Sequence, residues 1–72
     1  MEMTIEEKIR TIMRRKDMTI NTLAEQTGQS RQRIHQAFRM DSYNVTWLAK
    51  VAEALGCKVE ISFIDKETGE KY

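Results

Sequence analysis

Two runs of helical periodicity, separated by only three residues, constrain this chain more than any other feature. Residues 19–38 read TINTLAEQTGQSRQRIHQAF. Thr19 is placed to cap a helix over 20–27, Leu23 and Ala24 give that helix its apolar stripe, and Gly28 is placed to end it. Ser30 is placed to cap a second helix over 31–39, in which Ile34, Ala37 and Phe38 share one face. With only Gly28, Gln29 and Ser30 between them, the two helices must cross steeply. The left-handed backbone expected at position 28 suits a residue without a Cβ. The opposite face of the second helix carries Gln32, Gln36 and Arg39, with Arg31 at its tip. A helix that buries one side and offers Arg and Gln on the other presents a surface suited to recognition.

Length limits what else the chain can do. Seventy-two residues make one small domain, and such a domain buries only about 60% of its unfolded surface. One Cys and one His exclude an internal disulfide and leave no ligand set for structural zinc. A partner chain is therefore the expected source of extra stability, and the lone Cys suits a reducing compartment. The N-terminal MEMTIEEK has no basic stretch followed by an apolar run, so no signal peptide is expected. No apolar run approaches the roughly 20 residues of a membrane span. The expected location is the cytoplasm, with no membrane partner and no cofactor.

The net charge of +1 is uninformative, but its distribution is not. Residues 10–39 carry seven basic and two acidic side chains, whereas residues 1–9 and 40–72 each sum to −2. Positive charge is concentrated around the helix pair, where it can act on a polyanion or belong to an ordinary solvated surface.

The flanks complete the architecture. Thr4 and Glu7 fit a capping box opening a first helix, along which Ile5, Ile9, Ile12 and Met13 recur at helical spacing. Arg14, Arg15 and Lys16 crowd its last turn, Asp17 marks the break, and Met18 is expected in the core. Asn44 is placed to cap a fourth helix over 45–55, with Val45, Leu48, Val51, Ala52 and Leu55 on its apolar face. Trp47 lies off the centre of that stripe, facing either the preceding loop or a partner. After Gly56 the period changes to two, with Cys57, Val59, Ile61 and Phe63 on one side, and Asp65–Gly69 is turn chemistry. The expected fold is mainly α: a compact four-helix domain over 1–56, then a C-terminal β-strand or short hairpin over 57–72. An isolated strand with an open edge is best completed by a second copy through Val59, Ile61 and Phe63, the alternative being a strand that covers the monomer core.

The chain resembles the lambda-repressor/Cro-like helix-turn-helix family, also called the XRE family. The resemblance covers about residues 9–56. It is carried by Met18-Thr19, Leu23-Ala24, Gly28-Gln29-Ser30, Ile34 and the run LAKVAEALG at 48–56 in that order and spacing. It implies a third helix inserted in the DNA major groove by a homodimer on a pseudo-palindromic operator. Three positions depart from the family. Its buried Arg–Glu pair between the first and third helices is replaced by Met13 and Phe38, so the ion pair is exchanged as a unit and Met13 is expected to touch Phe38. Ile20 stands where the family often has a phosphate-contacting Gln, and Met40 where it commonly has Gly.

Motif matching puts Arg31, Gln32 and Gln36 on the base-reading positions. The chemistry agrees, since Arg can grip guanine O6 and N7 and Gln can grip adenine N6 and N7. Arg33 and Arg39 flank them and suit phosphate. Asn21 is placed to substitute for the missing Gln. Ser30, Ser42, Tyr43 and Asn44 are candidate phosphate contacts, the last beside the amides that open the fourth helix. His35 is either a DNA contact or an ordinary surface residue. The expected function is a transcriptional regulator, most simply a repressor. The alternative is a protein-interaction module such as an antitoxin that binds a toxin and represses its own operon. One His and one Cys without a supporting cluster argue against an enzyme.

Overall fold

A computed structural model describes residues 3–72. Met1 and Glu2, which fall within the expected bounds 1–56, lie outside the described residues. Four helices follow in order: α1 (Ile5–Arg15), α2 (Ile20–Thr27), α3 (Arg31–Met40) and α4 (Val45–Ala54). Each begins at a polar cap in extended backbone. Thr4, Thr19, Ser30 and Asn44 accept from the amides of Glu7, Thr22, Arg33 and Trp47 respectively. Four caps, each worth about 1 kcal/mol, fix where the chain turns into helix. The capping box at Thr4 is only half made, because Glu7 donates its amide but its side chain makes no return bond, while neighbouring Glu6 pairs with Arg10 at 2.8 Å.

The reversals are made by left-handed residues. Gly28 closes α2 with φ +69°, and its amide and that of Gln29 bond back to Glu25 and Ala24. Asp17 ends the first turn region with φ +53°. Met40 stays helical, and Asp41 at φ +48° supplies the reversal instead. The loop after α3 therefore turns one residue later than a Gly at position 40 would have turned it.

The core is one cluster drawn from all four helices: Ile9 and Met13, Leu23 and Ala24, Ile34 and Phe38, Val51 and Leu55. Leu23, Ile34 and Val51 are fully buried, and such side chains contribute about 1.5–3 kcal/mol each. Met18 and Ile20 pack partly buried against this cluster, so Ile20 serves the core at the start of α2. Met13 and Phe38 share the cluster, and the ring of Phe38 also meets a cation. The Arg10 guanidinium lies 5.1 Å from its centroid. Positive charge thus returns to α1 one turn before Met13, held over an aromatic face rather than buried against a carboxylate. Lys16 reaches across to donate its ammonium to the Leu55 carbonyl at the end of α4, tying the first helix to the last.

The C-terminal segment departs from expectation. Among the described residues no β-strand forms. Residues 57–63 take up no regular structure, and among the described residues the backbone of Lys58–Ser62 has no hydrogen-bond partner. The physical reason is that a strand needs a neighbour, and the helices offer side chains rather than a backbone edge. What remains is a stub: Phe63 and Tyr72 exchange backbone bonds at 3.1 and 2.8 Å, and Ile64 bridges Lys71 around the Asp65–Gly69 turn. The radius of gyration is 13.8 Å, against about 11 Å for a compact chain of this length. The helical domain is compact; the tail extends the molecule.

Candidate nucleic-acid interface

The caps and the core together decide what α3 shows to solvent. Ile34 and Phe38 anchor its inner face, which leaves Arg31, Gln32, Arg33, Gln36 and Arg39 exposed. His35 is half-buried at the margin. Asn21 is exposed one residue into α2, and Ser30, Ser42 and Asn44 are exposed at the turn and loop. Ser30 and Asn44 each spend a side-chain oxygen as a helix cap, at 3.1 and 2.7 Å. The Asn44 amide nitrogen and the Ser30 hydroxyl proton remain to donate.

Two hollows flank Arg33. One, of about 210 Å³, is lined by Arg33, Gln36, Met40, Ser42, Asn44 and Trp47. The other, of about 260 Å³, is lined by Gln29, Arg33, Asn44, Thr46, Trp47 and Lys50. Arg33 and Lys50 therefore stand beside the positive end of α4, where the helix dipole and free amides favour an anion. The arrangement brings Arg33, Gln36, Ser42 and Asn44 together. Arg31, Gln32, His35, Arg39 and Asn21 line neither hollow and lie along α3 or at the head of α2.

Tyr43 stands differently from its expected role. Its ring packs on Trp47, centroids 5.5 Å apart, and its hydroxyl is buried without a hydrogen-bond partner. Burial pushes its phenol above the usual range, with the Asp41 and Glu6 carboxylates adding to the effect. The hydroxyl is enclosed beside the tilted Trp47 ring. Tyr43 is a packing residue in this arrangement.

Trp47 faces the loop. It meets Phe38 edge-on at 6.5 Å and Tyr43 at a tilt, and its indole N–H donates to the Gln29 side-chain oxygen. The other end of that amide, Gln29 Nε2, is buried and unpaired. An unmade bond of this kind costs about 1–3 kcal/mol, comparable with the roughly 0.5–1.5 kcal/mol a neutral hydrogen bond returns. Gln29, Thr46 and Lys50 carry no expected role from sequence. Lys50 had one usable signal, a cation on the polar face within two turns of the Asn44 cap.

With this geometry in hand, the family comparison decides the class. The model of the Cro/C1-type HTH DNA-binding domain matches residues 8–60. The chain belongs to that family. Neither the comparison with curated proteins nor that with solved structures gives a match. As a Cro/C1-type domain the chain is a DNA-binding protein, and its family is one of transcription regulators. Among the described residues no helix is long and apolar enough to cross a membrane.

Proposed function

We propose that the chain is a sequence-specific regulator that reads the major groove with α3 as a homodimer, and that it acts as a repressor. The observation that carries this reading is the exposed row Arg31, Gln32 and Gln36 on a helix whose inner face is locked by Ile34 and Phe38. Arg31 and the two glutamines are the base readers, each bidentate pair being worth about 1–3 kcal/mol of discrimination. Arg33, Arg39, Asn21, Ser30, Ser42 and Asn44 hold phosphate and set the register, with His35 at the edge of reach.

The homodimer is supported by the tail. Ile61 and Phe63 are 54% and 74% exposed, Ile64 and Tyr72 are exposed beside them, and the backbone of Lys58–Ser62 is unpaired. Val59, at 37%, is the most sheltered of the three expected dimer residues and lines an apolar groove of about 360 Å³ between α1, α4 and the tail. Unpaired backbone with apolar side chains on one edge is the arrangement that a second strand completes. The same open tail also suits a different protein partner, the antitoxin-like alternative. A solution mass of one chain in the free protein, with a larger partner co-purifying through residues 57–72, favours that alternative.

The test is selection of bound duplexes from a random pool, followed by titration of the selected site in increasing salt. The reading expects a two-fold-related consensus and an affinity that falls steeply with ionic strength. An unselective pool, or an affinity flat in salt, contradicts it.

A further inference from the structure

We propose that Gln29 is a positioning residue that sets the reading angle of α3 through its bond to Trp47; this rests on the DNA-reading function above. Three helices meet at Gln29. Its backbone amide bonds to Ala24 at the end of α2 at 2.9 Å, its chain leads directly into the Ser30 cap of α3, and its side chain accepts from Trp47 in the first turn of α4. Among the described residues, this is the only side-chain hydrogen bond joining the helix pair to α4. Apolar packing of α2 and of Phe38 against α4 supports the same corner. A hydrogen bond is directional. The bond therefore adds a preferred direction to the core packing that seats the exposed Arg and Gln row.

The bond is not explained by stability. The indole N–H only donates, so the Gln29 oxygen must face it and the amide nitrogen must face elsewhere. That nitrogen is buried and has no partner. One bond is made and one is forfeited; an apolar side chain of the same length removes the unpaired nitrogen but strands the indole N–H, so the exchange is close to neutral in stability. A polar group kept on such terms marks a place where geometry, rather than stability, sets the requirement.

The test uses the full chain as Gln29→Met, Trp47→Phe and the double variant. Each is titrated with the duplex selected by the wild-type protein and with a scrambled duplex of equal length. For Gln29→Met, we expect a Tm close to wild type, because the unpaired amide nitrogen it removes and the indole N–H it strands carry similar costs. Its ratio of selected to scrambled affinity should be lower by about tenfold, the scale of one lost hydrogen bond. Trp47 is the sole tryptophan, so its emission should shift in Gln29→Met as the indole loses its acceptor. Trp47→Phe keeps a ring against Phe38 and should lose the same discrimination, and the double variant should lose no more than either single one. A lowered Tm with an unchanged ratio, an unshifted emission, or additive losses would each overturn the role. If the wild-type protein itself does not discriminate, the DNA-reading function falls and takes this inference with it. If the wild-type protein discriminates and all three variants do so equally, only the role of Gln29 falls.

Discussion

Gln36 and Arg39 stand on the exposed face of α3 less than one turn apart, and they are expected to fail differently. Gln36→Ala removes a donor–acceptor pair matched to one base, so it should relax preference at one operator position by about 1–3 kcal/mol and leave scrambled DNA unaffected. Arg39→Ala removes a charge. It should weaken binding to every sequence alike and lower the slope of log affinity against log salt by about 1. Parallel titrations of selected and scrambled duplexes separate the two, and equal relaxation by both would reverse the roles assigned. Tyr43 gives a second residue-level prediction. Its phenol is raised above the ordinary value by burial first and by Asp41 and Glu6 second. The neutral form is thus the one the fold prefers. Its stabilising contribution is complete below the unfolded value of about 10 and is lost as pH rises above it. Melting curves above pH 10 should fall more steeply for the wild-type protein than for Tyr43→Phe. At neutral pH, Tyr43→Phe should be neutral or stabilising by up to about 1 kcal/mol, because its hydroxyl has no partner to lose.

At the scale of the elements, the helix ends carry the informative contrasts. Gly28 and Gly56 share a left-handed φ, +69° and +71°, but differ in surroundings. A Cβ at Gly28 meets open space, so Gly28→Ala should cost only the conformational penalty of about 1–2 kcal/mol. A Cβ at Gly56 would sit 2.8 Å from the Lys16 ammonium, which caps the Leu55 carbonyl. Gly56→Ala should therefore cost more than Gly28→Ala by thermal unfolding, and the excess should vanish in a Lys16→Ala background. These ends also show what a sequence can reveal. The four caps, the Gly28 turn and the helix bounds to within a residue or so were legible, because Ser, Thr, Asn and Gly act through bonds to residues nearby in the chain. The Arg10–Phe38 contact, the Lys16 bridge and the Trp47–Gln29 bond were not, because each joins residues that become neighbours only when helices pack. The Tyr43–Trp47 contact was hidden for the same reason: loop position suggested exposure, and packing on Trp47 encloses the hydroxyl.

For the whole molecule the open question of assembly becomes a measurement. Alternation at Cys57–Phe63 is real in the sequence, but periodicity specifies a face and not a neighbour, so the strand is missing from the single chain. Ile61→Lys with Phe63→Lys changes two exposed side chains and should change the unfolding free energy of the single chain by only about 0.5 kcal/mol per substitution or less, as surface changes do. The same pair should shift the sedimenting mass from two chains toward the 8.5 kDa of one, and should weaken operator binding by more than it weakens single half-site binding. A wild-type mass of one chain at micromolar concentration would argue that the tail serves a different partner.

The unpaired backbone of Lys58–Ser62 has a consequence for dosage. The buried core is drawn from α1–α4 and Leu55 rather than from Lys58–Ser62, so in the proposed dimer the tails pair outside the core. Association of that kind is second order in protein. When free chains predominate, halving their amount lowers occupancy of a two-fold site about fourfold rather than twofold, so a gene under such control responds near a threshold. In the proposed dimer the sharpness of a genetic response would trace to five residues whose backbone has no hydrogen-bond partner among the described residues.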